Sequence, residues 1–166
     1  AADVSLDGVN YYTVEDRNAG ISRFRAGELD VLTDYPSSRY QWLTDNLPDA
    51  THMSPMLGSY YYVLNNRDGN PTADKRVREA LNLAIRRNVL SEQIMAGSFK
   101  ASTAMVPPGT SHYDAQQMDL GSDDMNDRMA RAKELLKEAG YGPDHPLELR
   151  LRYNTTDEHK KIAIAV

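Results

Sequence analysis

Four histidines, ten tyrosines and no cysteine bound the chemistry open to this chain of 166 residues. Without a thiol there is no disulfide, no thiolate metal site and no cysteine nucleophile. His52, His112, His145 and His159 stand far apart and never in a His-x-x-x-His or Glu-flanked spacing, so no metal is expected. The Gly-x-Ser-x-Gly elbow of a serine hydrolase is missing, as is a phosphate-cradling loop ending in Gly-Lys-Ser/Thr. Gly140-Tyr141-Gly142 follows a helical pattern where a dinucleotide turn needs a strand, so it reads as a helix stop. Asp123, Asp124 and Asp127 lack calcium-loop spacing and suit the positive end of a helix. Neither catalysis nor a cofactor is expected.

Two features could bind instead. Tyr60-Tyr61-Tyr62 lies in an extended apolar pattern, where alternate side chains face opposite sides and at least one hydroxyl must find a partner. The plain alternative is sheet core and edge. His159 falls in the first turn of the last helix, where an imidazole can donate to an anion that the helix N-terminus already favours. Its plain alternative is an exposed polar residue. The cations between Lys75 and Arg87 carry no interleaved aromatics, so a solvated or packed helix face is expected there, and no nucleic acid. Asn154-Thr155-Thr156 matches a glycosylation acceptor, but strand-to-helix capping accounts for the same residues.

The elements that must position these groups alternate. Val9 to Val14 reads as a strand, and Asp16 caps a helix that carries Ala19 and Phe24 inward and stops at Gly27. Leu29 to Thr33 is a short strand, and beyond Pro36 a helix capped by Ser37 runs to Asn46. Strand, helix, strand, helix is the pattern of an α/β unit. Pro55 and Gly58 punctuate the chain before the strand Tyr60 to Asn65. Asp74 caps a helix with Val77, Leu81, Ala84 and Ile85 inward, and Asn88 caps a shorter one with Leu90 and Ile94 inward, ending at Gly97. A long loop from Ala101 to Asp124 precedes a helix opened by Asn126 or Asp127, with Met129, Ala132, Leu135, Leu136 and Ala139 inward. Leu147 to Tyr153 alternates strictly and reads as a half-buried strand. Thr155 or Thr156 then caps the final helix.

Composition narrows the class further. Lys plus Arg is 19 against 24 Asp plus Glu, a formal charge of −5, which disfavours nucleic acid and anionic membranes as general partners. Hydrophobic residues are 40 % and charged residues 26 %, compatible with a packed core. No apolar run approaches the roughly 18 residues of a membrane span. Ala1-Ala2-Asp3-Val4-Ser5 has neither the basic nor the apolar region of a signal sequence. The last helix ends in Ile162-Ala163-Ile164-Ala165-Val166 with no stop residue, so the chain reads as an internal piece of a longer one.

Several runs together resemble one family. They are Arg25-Ala26-Gly27-Glu28-Leu29-Asp30 followed by Pro36, Tyr60-Tyr61-Tyr62 with Asn65, and Asp74-Lys75-Arg76-Val77-Arg78-Glu79-Ala80-Leu81 with Ala84, Ile85 and Arg87. Ala132-Lys133, Leu135-Leu136 and Glu138-Ala139-Gly140-Tyr141 continue the pattern, and Tyr153-Asn154-Thr155-Thr156-Asp157 with His159-Lys160-Lys161 and Ala163 to Val166 closes it. The chain from about Val9 onward resembles the bacterial periplasmic oligopeptide-binding proteins of ABC importers, extracellular solute-binding family 5, in the oligopeptide and murein-tripeptide branch.

That resemblance implies a fragment of a two-lobed α/β fold that closes over a short peptide. Residues 1–56 would end the first lobe, and residues 57–166 would open the second, beginning with the hinge strand. Tyr61 would line the peptide site, and His159 would reach the terminal carboxylate of the bound peptide. Met95-Ala96-Gly97 stands where some oligopeptide binders place a lysine before the glycine. The resemblance further implies membrane permease partners, a periplasmic location and no cofactor. The fragment itself is expected to bind peptide weakly and to self-associate through apolar surfaces. A ligand-sensing domain of a DNA-binding transcription regulator with the same lobe architecture is the alternative.

Overall fold

The computed structural model describes residues 5–54 and 56–166. The signal-sequence reading of Ala1 to Val4 and the breaker reading of Pro55 lie outside the described residues. Helix α1 spans Arg17–Arg25, and the Asp16 carboxylate accepts from the Asn18 backbone N–H at 2.9 Å, satisfying one of the four donors a helix start leaves free. It ends as expected at Gly27, where φ is +74°. The Gly27 N–H bonds the Phe24 carbonyl and the Glu28 N–H bonds the Arg23 carbonyl, both at 3.0 Å. This paired closure needs a left-handed residue that glycine adopts without strain. Its buried residues are Gly20 and Ile21, not Ala19 and Phe24. Leu32 explains the shift: a Cβ on Gly20 would lie 2.9 Å from Leu32 Cδ1, so that side chain takes the glycine's face of the helix.

Helix α2 spans Tyr40–Asn46 and follows a 3₁₀ turn over Ser37–Arg39. Ser37 does not cap it: the Ser37 hydroxyl is buried without a partner, and its backbone N–H donates to Glu158. Helix α3, Lys75–Ala84, is capped as expected by Asp74, which accepts from the Arg76 N–H at 2.8 Å. Its buried stripe is Val77, Ala80 and Leu83, one step round from the expected Val77, Leu81, Ala84 and Ile85, the last of which lies just past the helix end. Helix α4, Arg87–Val89, is a single turn that widens into a π-helical turn over Leu90–Ile94, and Asn88 lies inside it instead of capping it. Met95, just beyond, is buried. Helix α5, Met125–Glu138, starts two residues before Asp127, because Asp124 accepts from the Asn126 N–H at 2.6 Å. Gly140, with φ +91°, closes it by the same paired bonds as Gly27, from Gly140 to Lys137 and from Tyr141 to Leu136.

The core forms where α3 lies against α5, burying Ala80, Leu83, Ala132 and Leu135, with Leu120 and Leu136 packed on the edge. Ala80 and Ala132 contribute no bulk, so the leucines can seat between the helices. The two helices run antiparallel: Arg76 in the first turn of α3 donates to the Glu138 carbonyl in the last turn of α5 at 2.7 Å. That bond satisfies a carbonyl the helix end leaves free. The cationic face of α3 is therefore partly built into the structure. Arg78 donates to the Thr72 and Ala73 carbonyls, and Arg87 to the Asn82 carbonyl and amide oxygen. Helix α6, Asp157–Ala165, packs on the Leu90–Ile94 turn and buries Ile162.

The helices of the α/β expectation form, whereas its strands are not formed among the described residues. Among the described residues there is no strand ladder, and the β pairing consists of two isolated antiparallel bridges, Ala104–Gln117 and Gly142–His145. Residues 9–14, 29–33, 60–65 and 147–153 were expected as strands. Their apolar positions include Val31, Val63, Leu149 and Leu151, all exposed. A strand exists by exchanging backbone hydrogen bonds with a neighbour, and these four segments do not pair with one another. Among the described residues no helix is long and apolar enough to cross a membrane.

Candidate functional site

The start of α6 is built by three residues in relay. Asn154 Oδ1 accepts from the Thr156 N–H at 3.2 Å and from the Thr156 hydroxyl at 2.9 Å, and Thr156 Oγ1 in turn accepts from the His159 N–H at 3.4 Å. The capping reading of Asn154-Thr155-Thr156 thus accounts for the side chains. It also fixes the His159 backbone at the third helical position, where the positive end of the helix is strongest.

The half-buried His159 ring meets Tyr60 edge to face, with centroids 5.1 Å apart and planes at 85°. Tyr60 meets Tyr62 in the same manner at 5.7 Å and 84°, and the Tyr60 hydroxyl donates a long bond of 3.5 Å to the Tyr62 hydroxyl. Edge-to-face contact sets the positive rim of one ring on the negative face of the next, typically worth about 0.5–1.5 kcal/mol beyond burial. Burial first, then the Tyr60 hydroxyl and the nearby phenols Tyr60 and Tyr153, push the Tyr62 hydroxyl above its ordinary value. It stays a neutral donor and acceptor throughout the physiological range.

Tyr61 and His159, the two residues marked in the sequence, are not brought together. Tyr61 is exposed, and it is its neighbour Tyr60 that meets the histidine. Residues two apart in an extended segment share a side, which is how Tyr60 and Tyr62 come to touch each other. That spacing was visible in the sequence, but which side would face α6 was not.

A second group carries no local sequence signal. Arg17 Nη1 donates to Glu158 Oε2 at 2.6 Å, and Arg17 Nε pairs with Asp34 at 2.8 Å. The Ser37 N–H donates to Glu158 Oε1 at 3.1 Å. The Glu158 side chain is only 17 % exposed. The bonded and charged partnership with Glu158, outweighing burial and aided by Asp34, raises the Arg17 guanidinium further above its ordinary value.

Elsewhere, an apolar groove of about 610 Å³ lies at the end of α5 between Leu136, Tyr141, Pro143 and Leu147. It is separate from the His159 cluster. Among the described residues no three potential metal ligands converge. What the His159 cluster offers is a helix start, an imidazole and phenol hydroxyls on aromatic faces, a surface suited to holding a polar ligand without reacting with it.

The model for bacterial extracellular solute-binding proteins, family 5 (middle part), matches residues 1–166. The chain belongs to this family. As a family 5 chain it is 36 % identical over 165 residues to the periplasmic murein peptide-binding protein MppA of Escherichia coli, covering 99 % of this chain and 30 % of that protein. It is 35 % identical over 165 residues to the periplasmic oligopeptide-binding protein OppA of the same organism, with the same shares covered. A further Escherichia coli relative, the probable deoxycholate-binding periplasmic protein YgiS, is 37 % identical over 161 residues, 97 % of this chain and 30 % of that one.

Structural comparison leads to the same group. The chain superposes on the murein tripeptide binding protein MppA of Escherichia coli with a TM-score of 0.82 at 37 % identity, covering 92 % of this chain and 30 % of that one. On the unliganded open form of MppA the TM-score is 0.72, at 37 % identity, covering 92 % and 29 %. The family 5 chain thus spans about 30 % of the length of the relatives it matches. These relatives are periplasmic binding proteins and lend no support to the transcription-regulator reading.

Proposed function

We propose that the chain is the middle part of a longer solute-binding protein that captures short peptides for an ABC importer. The observation that carries this reading is the family match over residues 1–166, with a murein peptide-binding and an oligopeptide-binding protein among the relatives at 36 % and 35 % identity. The capped α6 start and the Tyr60–Tyr62–His159 cluster supply chemistry that suits it. A receptor tolerant of side-chain sequence binds the peptide main chain by β-type hydrogen bonds and fixes its charged ends. Phenol hydroxyls and an imidazole at a helix start fit the second task. Peptide side chains then sit in wetter surroundings, where bridging water replaces specific contact. The protein works by binding and release, without covalent chemistry.

In this reading residues 1–56 close the first lobe, and residues 57–166 open the second at the Tyr60 segment, which acts as a hinge strand. The unpaired segments join sheets completed by the rest of the longer protein. Tyr61 lines the peptide path from the face opposite Tyr60, and His159 holds the terminal carboxylate. The protein works in the periplasm, and lobe closure over the peptide signals to the membrane permease.

The test is to unfold the full-length protein as purified, identify the small molecules it releases, and then titrate the emptied protein with peptides of two to five residues and with deoxycholate. Release of peptides, and binding of peptide but not of the bile acid, is the expected outcome. Binding of deoxycholate alone would move the ligand class to that named for YgiS.

A further inference from the structure

The ion pair between Arg17 and Glu158 joins residues 141 apart in sequence, and the bond from Ser37 to Glu158 joins residues 121 apart. Both contacts cross residue 57, the proposed junction between the two pieces of the chain. Both also end on the residue next to His159. We propose that Arg17 and Glu158 are positioning residues for ligand binding: their ion pair, completed by the Ser37 N–H, clamps the start of α6 to the first piece of the chain and so holds His159 where the ligand arrives. The proposal rests on the peptide-binding reading and on the junction near residue 57.

Two observations carry it. The first is geometry. Glu158 uses both carboxylate oxygens, one on Arg17 and one on Ser37, so α6 is held at two points and cannot swivel about a single bond. Arg17 is in turn fixed from its other side by Asp34 at 2.8 Å, so the whole anchor on the first piece is stiff.

The second is electrostatic. The first turn of α6 carries two carboxylates, Asp157 and Glu158. An anionic ligand end approaching His159 meets the repulsion of both, unless one is neutralised. Arg17 neutralises Glu158 at 2.6 Å, where the pair is only partly screened by solvent. The clamp therefore aligns the histidine and also removes a charge that would oppose the ligand.

The test uses the full-length protein, emptied of ligand, with Arg17→Met, Glu158→Gln, the double variant, and the exchange Arg17→Glu with Glu158→Arg. Calorimetry with a tripeptide and a pentapeptide reads affinity. Thermal melting without ligand reads stability, and small-angle scattering without ligand reads compactness. Each single variant should weaken the peptide whose terminal carboxylate reaches His159, roughly three- to thirtyfold for a partly buried charge pair, and the other peptide less. The double variant should be no worse than the worse single, and the exchange should recover most of the loss. Ligand-free melting should hold within a degree or two, while scattering shows a larger radius than wild type.

Unchanged affinity in the single variants would overturn the proposal. So would a loss accompanied by a large fall in ligand-free melting temperature that the exchange does not repair, which would make the pair a brace of the fold. If the wild type binds no peptide at all, the peptide reading fails separately. Scattering then judges the clamp alone, and equal radii for variants and wild type would sink it.

Discussion

Tyr62 is the residue whose surroundings change its chemistry most visibly. Its hydroxyl is pushed up by burial and by Tyr60, so it stays protonated where free phenols ionise. A group whose folded value is raised keeps its contribution to stability below the ordinary value near 10 and loses it as pH climbs toward the folded one. An ultraviolet titration of the chain should therefore show tyrosine ionisation above the ordinary range, to which the half-buried Tyr35 also contributes, and Tyr62→Phe should remove part of it. Asp74 makes the opposite case. The Arg76 side chain, then its backbone N–H, holds the Asp74 carboxyl below the usual carboxylate value of 3.8. Its contribution is present above that value and disappears as pH falls through the lower folded one. Asp74→Asn keeps an acceptor for the cap yet should flatten the acid limb of a melting-temperature profile. An unchanged acid limb would mean that the Arg76 contact adds nothing to stability. The Asp74 cap was legible because a helix start needs a short acceptor side chain ahead of an apolar stripe. The Ser37 cap was expected by the same rule, but Ser37 opens a 3₁₀ turn, α2 begins only at Tyr40, and Glu158, 121 residues away, takes the Ser37 N–H. No local pattern reports such a competitor.

Elements show the same division between local and distant causes. Gly27 and Gly140 were readable as helix stops because the requirement is local, a left-handed residue after the last turn. Gly140→Ala puts a Cβ on a residue at φ +91° and should cost about 1 kcal/mol or more in urea unfolding, although nothing crowds the site. Gly142→Ala, where no such angle is imposed, is the control. The α3–α5 pair was legible as two amphipathic helices, but α3 buries Leu83 and leaves Ala84 exposed, since the partner decides which ridge faces inward. Leu83→Ala or Leu135→Ala should each cost about 2–5 kcal/mol, the range for emptying a packed leucine site. A loss under 1 kcal/mol at both would place the core elsewhere. The four segments expected as strands form no ladder among the described residues, since pairing is a property of two segments and one sequence run holds only half of it. The Tyr60 segment illustrates this: its alternation was plain, while the choice of Tyr60 over Tyr61 as the partner of His159 depended on where α6 lies.

At the scale of the molecule, the exposed apolar residues are the main physical fact. Val63 is 84 % exposed and Ile164 75 %, on an unpaired segment and at the end of α6. Unpaired extended backbone and open apolar side chains are both satisfied by a neighbour, so the isolated chain should self-associate as concentration rises. Light scattering across a concentration series checks this, and a steady monomer mass at the highest concentration would contradict it. The isolated chain should also bind peptide poorly, because a cleft between lobes needs both walls. The central claim is that His159, seated at the α6 start against Tyr60, anchors one end of a short peptide. The most direct measurement is calorimetry of the full-length protein and its His159→Ala variant with peptides of two, three, four and five residues. In an extended peptide each added residue moves the terminal carboxylate by about 3.4 Å. The variant should therefore lose affinity selectively, by about 1.5–3 kcal/mol at the length that places the carboxylate on the imidazole, the range for a hydrogen bond to a charged group. Equal losses at every length, or none at any, would contradict the account.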